Sequence, residues 1–452
     1  MKFDESLLQD AAARGIRYLR GLDERRVFPA QLEIDRLKDL QFELPEMGRD
    51  QKEILGLLDE IGSSATVASA GPRYFGFVIG GSLPAALAAN WLAGAWDQNA
   101  FSPLSSPIGA KLGEVALGWL REIFGFPMGT DGAFVSGATV ANYCGIMAAR
   151  HALLARQGWD VEAKGLYGAP EIQVVLGEEA HSSLIKALGM AGLGRERVTR
   201  VPGDAQGRMR ADALPKLTDL TLLCIQAGNV NSGAFDPAEQ LCAAAHAAGA
   251  WVHVDGAFGL WAAASPQLAH LAKGVNQADS WSCDAHKWLN VPYDCGFVFV
   301  REPQNLGDTF SQRAAYLKRA QAHEPYDYTP ESSQRARGIE VWAALLSLGK
   351  TGLADMIERN CSQARLMAAG LKKANLEVLN EVVLNQVVVA FGDEERTNRV
   401  ISALQQDGTF WAGGTTWKGR AAMRISFSSW KTRDEDVDRS LDAILRVNAA
   451  EA

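Results

Sequence analysis

Short apolar runs alternate with longer, helix-like segments between about residue 130 and residue 300. The apolar runs lie at 133–135, 172–176, 220–225, 251–254 and 297–300. This alternation predicts a mainly parallel α/β sheet, because a parallel strand needs a crossover helix to reach its neighbour. Ligands of such sheets bind beyond the carboxyl ends of the strands. The polar residues that follow the predicted strands are therefore the candidates for chemistry, namely Ser136, His181, Asn229, Asp255 and Lys287.

Helical patterns flank this central region. Residues 6–20 carry an apolar stripe at helical spacing, and residues 51–61 repeat that helical character. Ser106 followed by Pro107 predicts the start of another helix. Beyond residue 335, a long helical pattern precedes three strand-like runs, at 376–379, 387–391 and 423–427. We therefore predict an N-terminal helical arm (1–70), a large α/β domain (71–334) and a small α+β C-terminal domain (335–452).

Composition narrows the function classes. The chain has 452 residues, 47% hydrophobic and 22% charged, which suits a globular protein with more than one core. Its net charge of −8 and the lack of a basic block argue against nucleic acid or an anionic membrane as partner and favour a small-molecule substrate. Pro84 and Asn90 interrupt the richest apolar stretch, so we predict no membrane span. The six cysteines show neither zinc-site nor disulfide spacing, which favours the reducing cytoplasm.

Lys287 and Asp255 suggest a particular cofactor. Lys287 follows an apolar stretch and trails Asp255 by a distance that one more strand spans. A pyridoxal phosphate enzyme needs an amine that binds the cofactor covalently and a carboxylate that keeps the pyridine nitrogen protonated. Alone, a lysine is usually solvated and an aspartate after a strand is often a helix N-cap. The combination of the two favours the cofactor interpretation.

A phosphate turn strengthens this interpretation. Residues 136–139, Ser-Gly-Ala-Thr, lie between a predicted strand and a helical stretch, where backbone N–H groups and hydroxyls bind phosphate with the help of the helix dipole. An ordinary capped turn has the same pattern. His181, after the predicted strand at 172–176, is a candidate for stacking on the cofactor ring, although a lone histidine is usually structural.

Several motifs between Gly71 and Trp342 resemble one family. They are Pro72 with Tyr74-Phe75, Ser106-Pro107, Ser136-Gly137 with Asn142, Ala148-Ala149-Arg150, Ala180-His181-Ser182-Ser183, Phe235-Asp236, His253-Val254-Asp255 with Ala257, His286-Lys287-Trp288, and Arg335 and Arg337 before Trp342. In these motifs the chain resembles the group II pyridoxal-dependent decarboxylases, and within them the aromatic amino acid branch. The resemblance implies the fold type I architecture, with a large, mainly parallel sheet of the seven-stranded type, and pyridoxal 5'-phosphate as cofactor.

The resemblance also implies roles for individual residues. Lys287 would bind the cofactor covalently, Asp255 would face the pyridine nitrogen, and His181 and Ala257 would lie on opposite faces of the ring. The remaining implied cofactor contacts are Ala138 and Thr139 in the phosphate turn, with Asp284 and His286 around the lysine. Phe101 would line the substrate pocket of the neighbouring subunit, so a homodimer with its sites at the interface is implied.

Some positions depart from the family pattern. Asn229 stands where aromatic decarboxylases carry a threonine that contacts the cofactor, which replaces a hydroxyl by an amide. Gly71, Gly256 and Gln334 replace a histidine, an alanine and an arginine of the family. These changes weaken any transfer of substrate identity.

Residues 323–330 contain the candidates for the final proton transfer. The family returns a proton to the substrate carbon from a tyrosine on a mobile loop, and this segment offers Tyr326 and Tyr328. Arg337 or Arg335 is a candidate for binding the substrate carboxylate.

The predicted function is pyridoxal phosphate-dependent decarboxylation of an L-amino acid, preferably aromatic or bulky and apolar, to its amine and carbon dioxide. The alternatives are another reaction on the same cofactor (carbon–carbon lyase, aminotransferase or aldehyde synthase) and a binding protein that keeps the fold.

Overall fold

The computed structural model describes residues 3–311 and 324–451. The described chain divides into two compact units. The large unit comprises residues within Gly80–Ala364 together with Asn380–Gln386, and the small unit comprises residues within Met1–Ile79, Arg365–Leu379 and Val387–Ala452. The predicted arm and the strands of the predicted C-terminal domain thus fall in the same unit.

The large unit is built on a seven-stranded sheet. Its strands are β1 (Asp131–Val135), β2 (Gln173–Gly177), β3 (Val198–Val201), β4 (Thr221–Gln226), β5 (Trp251–Asp255), β6 (Ser280–Asp284) and β7 (Gly296–Val300). Their spatial order is β1-β7-β6-β5-β4-β2-β3, and only β7 runs antiparallel to its neighbours. The predicted mainly parallel sheet of the seven-stranded type is confirmed.

The central strands are buried on both faces, as expected for a parallel sheet covered by helices. Every residue of β4, β5, β6 and β7 is buried. The apolar runs predicted these strands to within one residue, apart from β6, whose position was indicated only by the spacing between Asp255 and Lys287. The edge strand β3 has no such run, because two of its four residues are exposed.

The helices of the large unit cover this sheet. They are α4 (Pro84–Trp96), α5 (Pro107–Ile123), α6 (Ala138–Arg156), α7 (Val161–Lys164), α8 (Ser182–Met190), α9 (Ala238–Ala247), α10 (Gln304–Phe310) and the first part of α11 (Gly338–Lys373), which is interrupted at Gly349. The predicted start of α5 is confirmed, since the Ser106 hydroxyl accepts a hydrogen bond from the Gly109 N–H at 3.1 Å. The helix α6 is the most deeply buried of these, with twelve buried residues.

The small unit combines helices with a four-stranded sheet. Its helices are α1 (Glu5–Gly21), α2 (Gln31–Asp35), α3 (Gln51–Leu57), the end of α11, α12 (Glu394–Asp407) and α13 (Asp434–Ala450). Its strands are β8 (Glu377–Val378), β9 (Gln386–Ala390), β10 (Gly413–Trp417) and β11 (Arg420–Ser426), in the order β10-β11-β9-β8. The sequence predicted β8, β9 and β11 but not β10, whose Gly-Gly-Thr-Thr-Trp sequence contains no apolar run.

Across the described residues, none of the helices has the length and apolar character needed to cross a lipid bilayer.

Candidate active site

The carboxyl ends of three strands bring predicted site residues to one edge of the large sheet. Val135 at the end of β1 and Asp284 at the end of β6 both pair with Gly296 of β7. Asp255 at the end of β5 pairs with Ser282 of β6. Because these strand ends lie within two residues of one another in register, the turn after β1, the carboxylate that ends β5 and the segment carrying Lys287 converge.

The Asp284 carboxylate joins the lysine to the predicted phosphate turn. Its Oδ2 lies 3.1 Å from Lys287 Nζ, and its Oδ1 accepts a hydrogen bond from the Ala138 N–H at 2.6 Å. The Asp284 side chain is only 4% exposed and that of Lys287 is 18% exposed. A buried carboxylate between a helix N-terminus and an ammonium group is stabilised by both. The ion pair therefore holds the Lys287 amine near the start of α6. Thr139 is the second residue of this helix.

His286 packs beside this pair as a neutral ring. Its Nδ1 accepts a hydrogen bond from the Cys295 N–H at 3.3 Å, its Nε2 lies 3.6 Å from Asp284 Oδ1, and the ring stacks on Tyr293 at 4.3 Å. Burial lowers the pKa of His286, outweighing the opposite influence of the Asp284 charge. The Nε2–H of the neutral ring therefore faces the carboxylate.

Asp255 is held at the end of β5 by two donors. Its Oδ2 accepts a hydrogen bond from Asn142 Nδ2 at 3.2 Å, and its Oδ1 accepts one from the Ala257 N–H at 3.2 Å. The Asp284 N–H in turn donates to the Ala257 carbonyl oxygen at 3.0 Å. Asp255 is 5% exposed, so its carboxylate is presented in a nearly dry environment.

The residues after β4 and β2 occupy tight turns. Asn229 Oδ1 accepts hydrogen bonds from the N–H groups of Asn231 and Ser232 at 2.9 and 3.1 Å, whereas its buried Nδ2 has no hydrogen-bond partner. His181 is the N-cap of α8, with Nδ1 accepting from the Ser183 N–H at 3.2 Å. An unpaired buried amide N–H₂ costs free energy unless a ligand satisfies it.

The two candidate arginines differ in their environment. Arg335 forms an ion pair with buried Glu340 and donates to the Asp294 carbonyl oxygen at 2.6 Å. Arg337 Nε donates to Asp294 Oδ1 at 3.0 Å, while its buried Nη1 has no hydrogen-bond partner. Burial opposes ionisation of Asp294, but the hydrogen bond and charge of Arg337, together with Arg335, lower its pKa. The Arg335 guanidinium is thus paired with Glu340 and Asp294. Arg337 retains an N–H donor, at Nη1, that no protein atom among the described residues accepts.

The candidate tyrosines also lie in different places. Tyr326 is 5% exposed and stacks on Phe101, with ring centroids 4.4 Å apart and planes inclined by 13°. Tyr328 packs against the main core, where burial and then the charges of Asp131, Asp327 and Asp308 raise the pKa of its hydroxyl. Of the predicted segment 323–330, His323 lies outside the described residues.

Besides burial, the charge of Asp131 raises the pKa of Tyr328, and this carboxylate stands at the opposite end of β1 from the site. Asp131 is the first residue of β1, and Val135, which leads into the phosphate turn, is the last. A strand rises about 3.3 Å per residue, so the two ends of β1 are about 13 Å apart. Of the two tyrosines, Tyr326 is therefore the one whose ring contacts another predicted site residue, Phe101.

Sequence reasoning missed several residues that support the site. Asn142 and His253 were parts of motifs but received no role, while Asp294 and Glu340 were not considered. The signal for His253 was a polar residue inside an apolar strand. Asp294 and Glu340 lie in segments without a distinctive pattern, so only the structure identifies them.

The residues at this edge fit pyridoxal phosphate. An amine and a buried carboxylate stand at the ends of neighbouring strands, as the covalent link and the pyridinium nitrogen require. The start of α6 offers the field and N–H groups that bind a phosphate. The unpaired Nδ2 of Asn229 supplies a further buried donor.

Comparison with known proteins places the chain in a family. The model of the pyridoxal-dependent decarboxylase conserved domain matches residues 35–391. The chain belongs to this family: it is an enzyme that uses pyridoxal phosphate to decarboxylate an amino acid.

Individual relatives are similar to this chain at modest identity. An aromatic-L-amino-acid decarboxylase of Bacillus atrophaeus is 28% identical over 344 residues, which cover 73% of this chain and 69% of the relative. An acidic amino acid decarboxylase of Mus musculus is 27% identical over 348 residues, covering 74% and 62%. The crystal structure of Oryza sativa TDC with PLP and tryptamine superposes with a TM-score of 0.90 over 99% of both chains at 22% identity, which confirms the fold.

Proposed function

We propose that the substrate is an L-amino acid with an aromatic or bulky apolar side chain, which the enzyme converts to the amine and carbon dioxide. The observation that carries this proposal is the stacked pair of Phe101 and Tyr326. The segment of Phe101 is tied to the arginine segment, since the Ala100 N–H donates to the Gln334 carbonyl oxygen at 2.8 Å. An aromatic surface next to a guanidinium group suits the side chain and the carboxylate of such a substrate.

Lys287 and Asp255 are proposed to hold the two reactive ends of the cofactor. Lys287 provides the amine for the covalent link, and Asp255 provides the carboxylate for the pyridine nitrogen. The ion pair with Asp284 supports the first role, because it fixes the amine beside the start of α6. When bound, the cofactor supplies the electron sink that accepts the electron pair left by departing carbon dioxide.

The other cofactor contacts are proposed from where their residues lie at the edge of the sheet. Ala138 and Thr139 open α6 and would bind the phosphate, and His181 and Ala257 would lie on the two faces of the ring. The unpaired amide of Asn229 would donate to a cofactor oxygen. Asp284 and His286 would act indirectly, by holding Lys287 and the α6 N-terminus in place.

Arg337 is the proposed ligand of the substrate carboxylate. Its buried Nη1 lacks a partner, whereas Arg335 is paired with Glu340 and Asp294. A buried guanidinium group with an unused N–H binds a carboxylate by charge-assisted hydrogen bonds.

A homodimer is proposed from the surface of α4. Only Ala86 is buried among its thirteen residues, while Trp91, Leu92 and Trp96 are 44%, 54% and 44% exposed. Large exposed apolar patches of this kind mark interaction sites. A second copy that covers this face would complete a site to which Phe101 contributes. A cytoplasmic location is proposed as well, because all six cysteines are free in the structure.

A substrate panel tests the proposal. Purified protein supplied with pyridoxal phosphate should release carbon dioxide and amine from tyrosine, tryptophan or dihydroxyphenylalanine with a higher kcat/KM than from glutamate or aspartate. The physical reason is that an acidic side chain would lose hydration by packing against the apolar Phe101 and Tyr326 rings. Preference for the acidic substrates would overturn the proposed class, and amine-free turnover would favour a lyase, aminotransferase or aldehyde synthase.

Tyr326 is the proposed proton donor to the substrate carbon. Replacing Tyr326 by phenylalanine keeps the stack with Phe101 but removes the acid, so the substrate carbon would be oxidised by dioxygen where it is normally protonated. The product should shift from amine to aldehyde, with ammonia and hydrogen peroxide released and dioxygen consumed. Product analysis by chromatography with an oxygen electrode measures this shift.

Tyr328→Phe is the matched control for this experiment. It removes a hydroxyl from the same segment, on a ring that packs against the core, and should leave the amine yield unchanged. Aldehyde from the Tyr328 variant and not from the Tyr326 variant would reverse the assignment. Unchanged amine yield in both variants would refute a tyrosine donor.

A further inference from the structure

Three polar residues lie inside the most deeply buried strands. His253 is in the middle of β5, and Ser280 and Ser282 are in β6, and all three are fully buried. Burying such groups is costly unless each finds a hydrogen-bond partner. Their partners form a chain that ends at Asp255.

Asn142 of α6 is the link between this chain and Asp255. Its Nδ2 donates to Asp255 Oδ2 at 3.2 Å. Its Oδ1 accepts from Ser282 Oγ at 2.5 Å and lies 2.8 Å from His253 Nε2. With a carboxylate on one side, the amide must present its N–H₂ to Asp255, because the reverse orientation would place two acceptors in contact.

The partners on both sides of His253 fix its tautomer. Trp251 Nε1 can only donate, and it donates to Ser280 Oγ at 2.9 Å. Because Asn142 Oδ1 can only accept, the proton of the neutral His253 ring lies on Nε2, 2.8 Å away, and Nδ1 accepts from the Ser280 hydroxyl at 2.8 Å. Burial lowers the pKa of His253 to about 4, against the opposing charge of Asp255, so the ring is neutral near pH 7.

The packing of α6 makes room for this arrangement. A Cβ atom on Gly145 would lie 2.5 Å from His253 Cε1 and 2.6 Å from Nδ1. Only glycine at this position allows the imidazole ring to lie under α6, one helical turn beyond Asn142. The histidine and the asparagine are therefore placed by the same helix.

We propose that Asn142 and His253 are positioning residues that hold the Asp255 carboxylate, as an anion, toward the pyridine nitrogen of the cofactor. This inference rests on the proposed role of Asp255. In the chain that runs from Trp251 to Asp255, each group donates a hydrogen bond to the next group. The hydrogen bonds therefore polarise one another in the same direction, toward Asp255. Each carboxylate oxygen accepts one protein hydrogen bond and keeps lone pairs for the ring N–H.

Cofactor discrimination provides a test that does not depend on turnover. Dissociation constants are measured for pyridoxal phosphate and for its analogue in which CH replaces the ring nitrogen. The wild-type protein should prefer pyridoxal phosphate, and Asp255→Ala should abolish the preference. Asn142→Leu and His253→Leu should each reduce it by about tenfold, the scale of one charge-assisted hydrogen bond.

Three further variants separate positioning from general damage to the core. His253→Gln can donate to Asn142 and accept from Ser280, so it should restore most of the preference. Thr221→Val removes a buried hydrogen bond to Gln173 at the opposite end of β4 and should leave the preference unchanged. If the leucine variants do not fold, Ser282→Ala, which removes one of the two donors to Asn142 Oδ1, should lower the preference in the same direction.

The outcomes distinguish this inference from the function on which it rests. Full preference in Asn142→Leu and Ser282→Ala, together with its loss in Asp255→Ala, would overturn the relay and leave the role of Asp255 intact. Full preference in Asp255→Ala would overturn both.

Discussion

Replacing Lys287 by alanine is expected to abolish decarboxylation, with kcat falling by about 10⁴-fold or more, as when other enzymes lose their nucleophile. The variant should also lack the visible absorbance of the covalently bound cofactor. The reason is that the amine held 3.1 Å from Asp284 is the proposed site of the covalent link. Titration with pyridoxal phosphate followed by absorbance, and borohydride reduction followed by peptide mass analysis, measure this directly. In the wild-type protein, the reduced cofactor should be found on Lys287.

Lys287→Arg and Lys273→Ala are the controls for this result. Lys287→Ala leaves the buried Asp284 carboxylate without its counter-charge, which would destabilise the fold by up to about 3 kcal/mol. Arginine retains the cation but cannot form the covalent link, so Lys287→Arg should fold well and remain inactive. Lys273 is exposed and paired with Glu239, and its replacement should change nothing. A covalent chromophore in Lys287→Arg would refute the assignment.

The candidate site residues at the carboxyl edge of the sheet could be predicted, because they follow strands whose apolar runs are easy to recognise in the sequence. The runs that became β1, β4 and β5 are almost fully buried, so the residues after them were correctly expected at one edge. The prediction of Lys287 needed more than this pattern, since β6 reads Ser-Trp-Ser-Cys-Asp and lacks a continuous apolar run. Its serines are tolerated inside the sheet because Asn142 and His253 pair with them.

The candidate substrate residues were harder to predict, because they lie in irregular segments whose partners are distant in sequence. Arg335 and Arg337 follow the same residue pattern, and only contacts with Asp294 and Glu340 distinguish them. Tyr326 and Tyr328 are likewise two residues apart in a short segment. The residues that distinguish them, Phe101 stacked on Tyr326 and Asp131 near Tyr328, lie more than 190 residues earlier in the chain.

Replacing Asp255 by alanine is expected to lower kcat/KM by about 10²- to 10³-fold, which corresponds to the loss of about 3–4 kcal/mol from one buried charge-assisted pair. The carboxylate is 5% exposed and accepts from Asn142 and Ala257, so no water would easily replace it in its proposed role as partner for the ring nitrogen. Without that anion, the pyridine nitrogen loses its proton and the cofactor becomes a weaker electron sink. Steady-state kinetics at saturating pyridoxal phosphate measure the effect.

Asp255→Glu and Asp236→Asn show whether the chemistry or the fold is affected. Glutamate keeps the charge but moves it by one methylene, so Asp255→Glu should recover part of the activity. Asp236 is a second buried carboxylate, which accepts from the Met209 and Gln226 N–H groups at 2.7 Å each. Its neutral replacement should lower the melting temperature, while the fraction that remains folded keeps its kcat/KM. If Asp255→Ala matched this behaviour, losing stability without losing activity per folded molecule, Asp255 would be a structural carboxylate, and another residue would have to face the pyridine nitrogen.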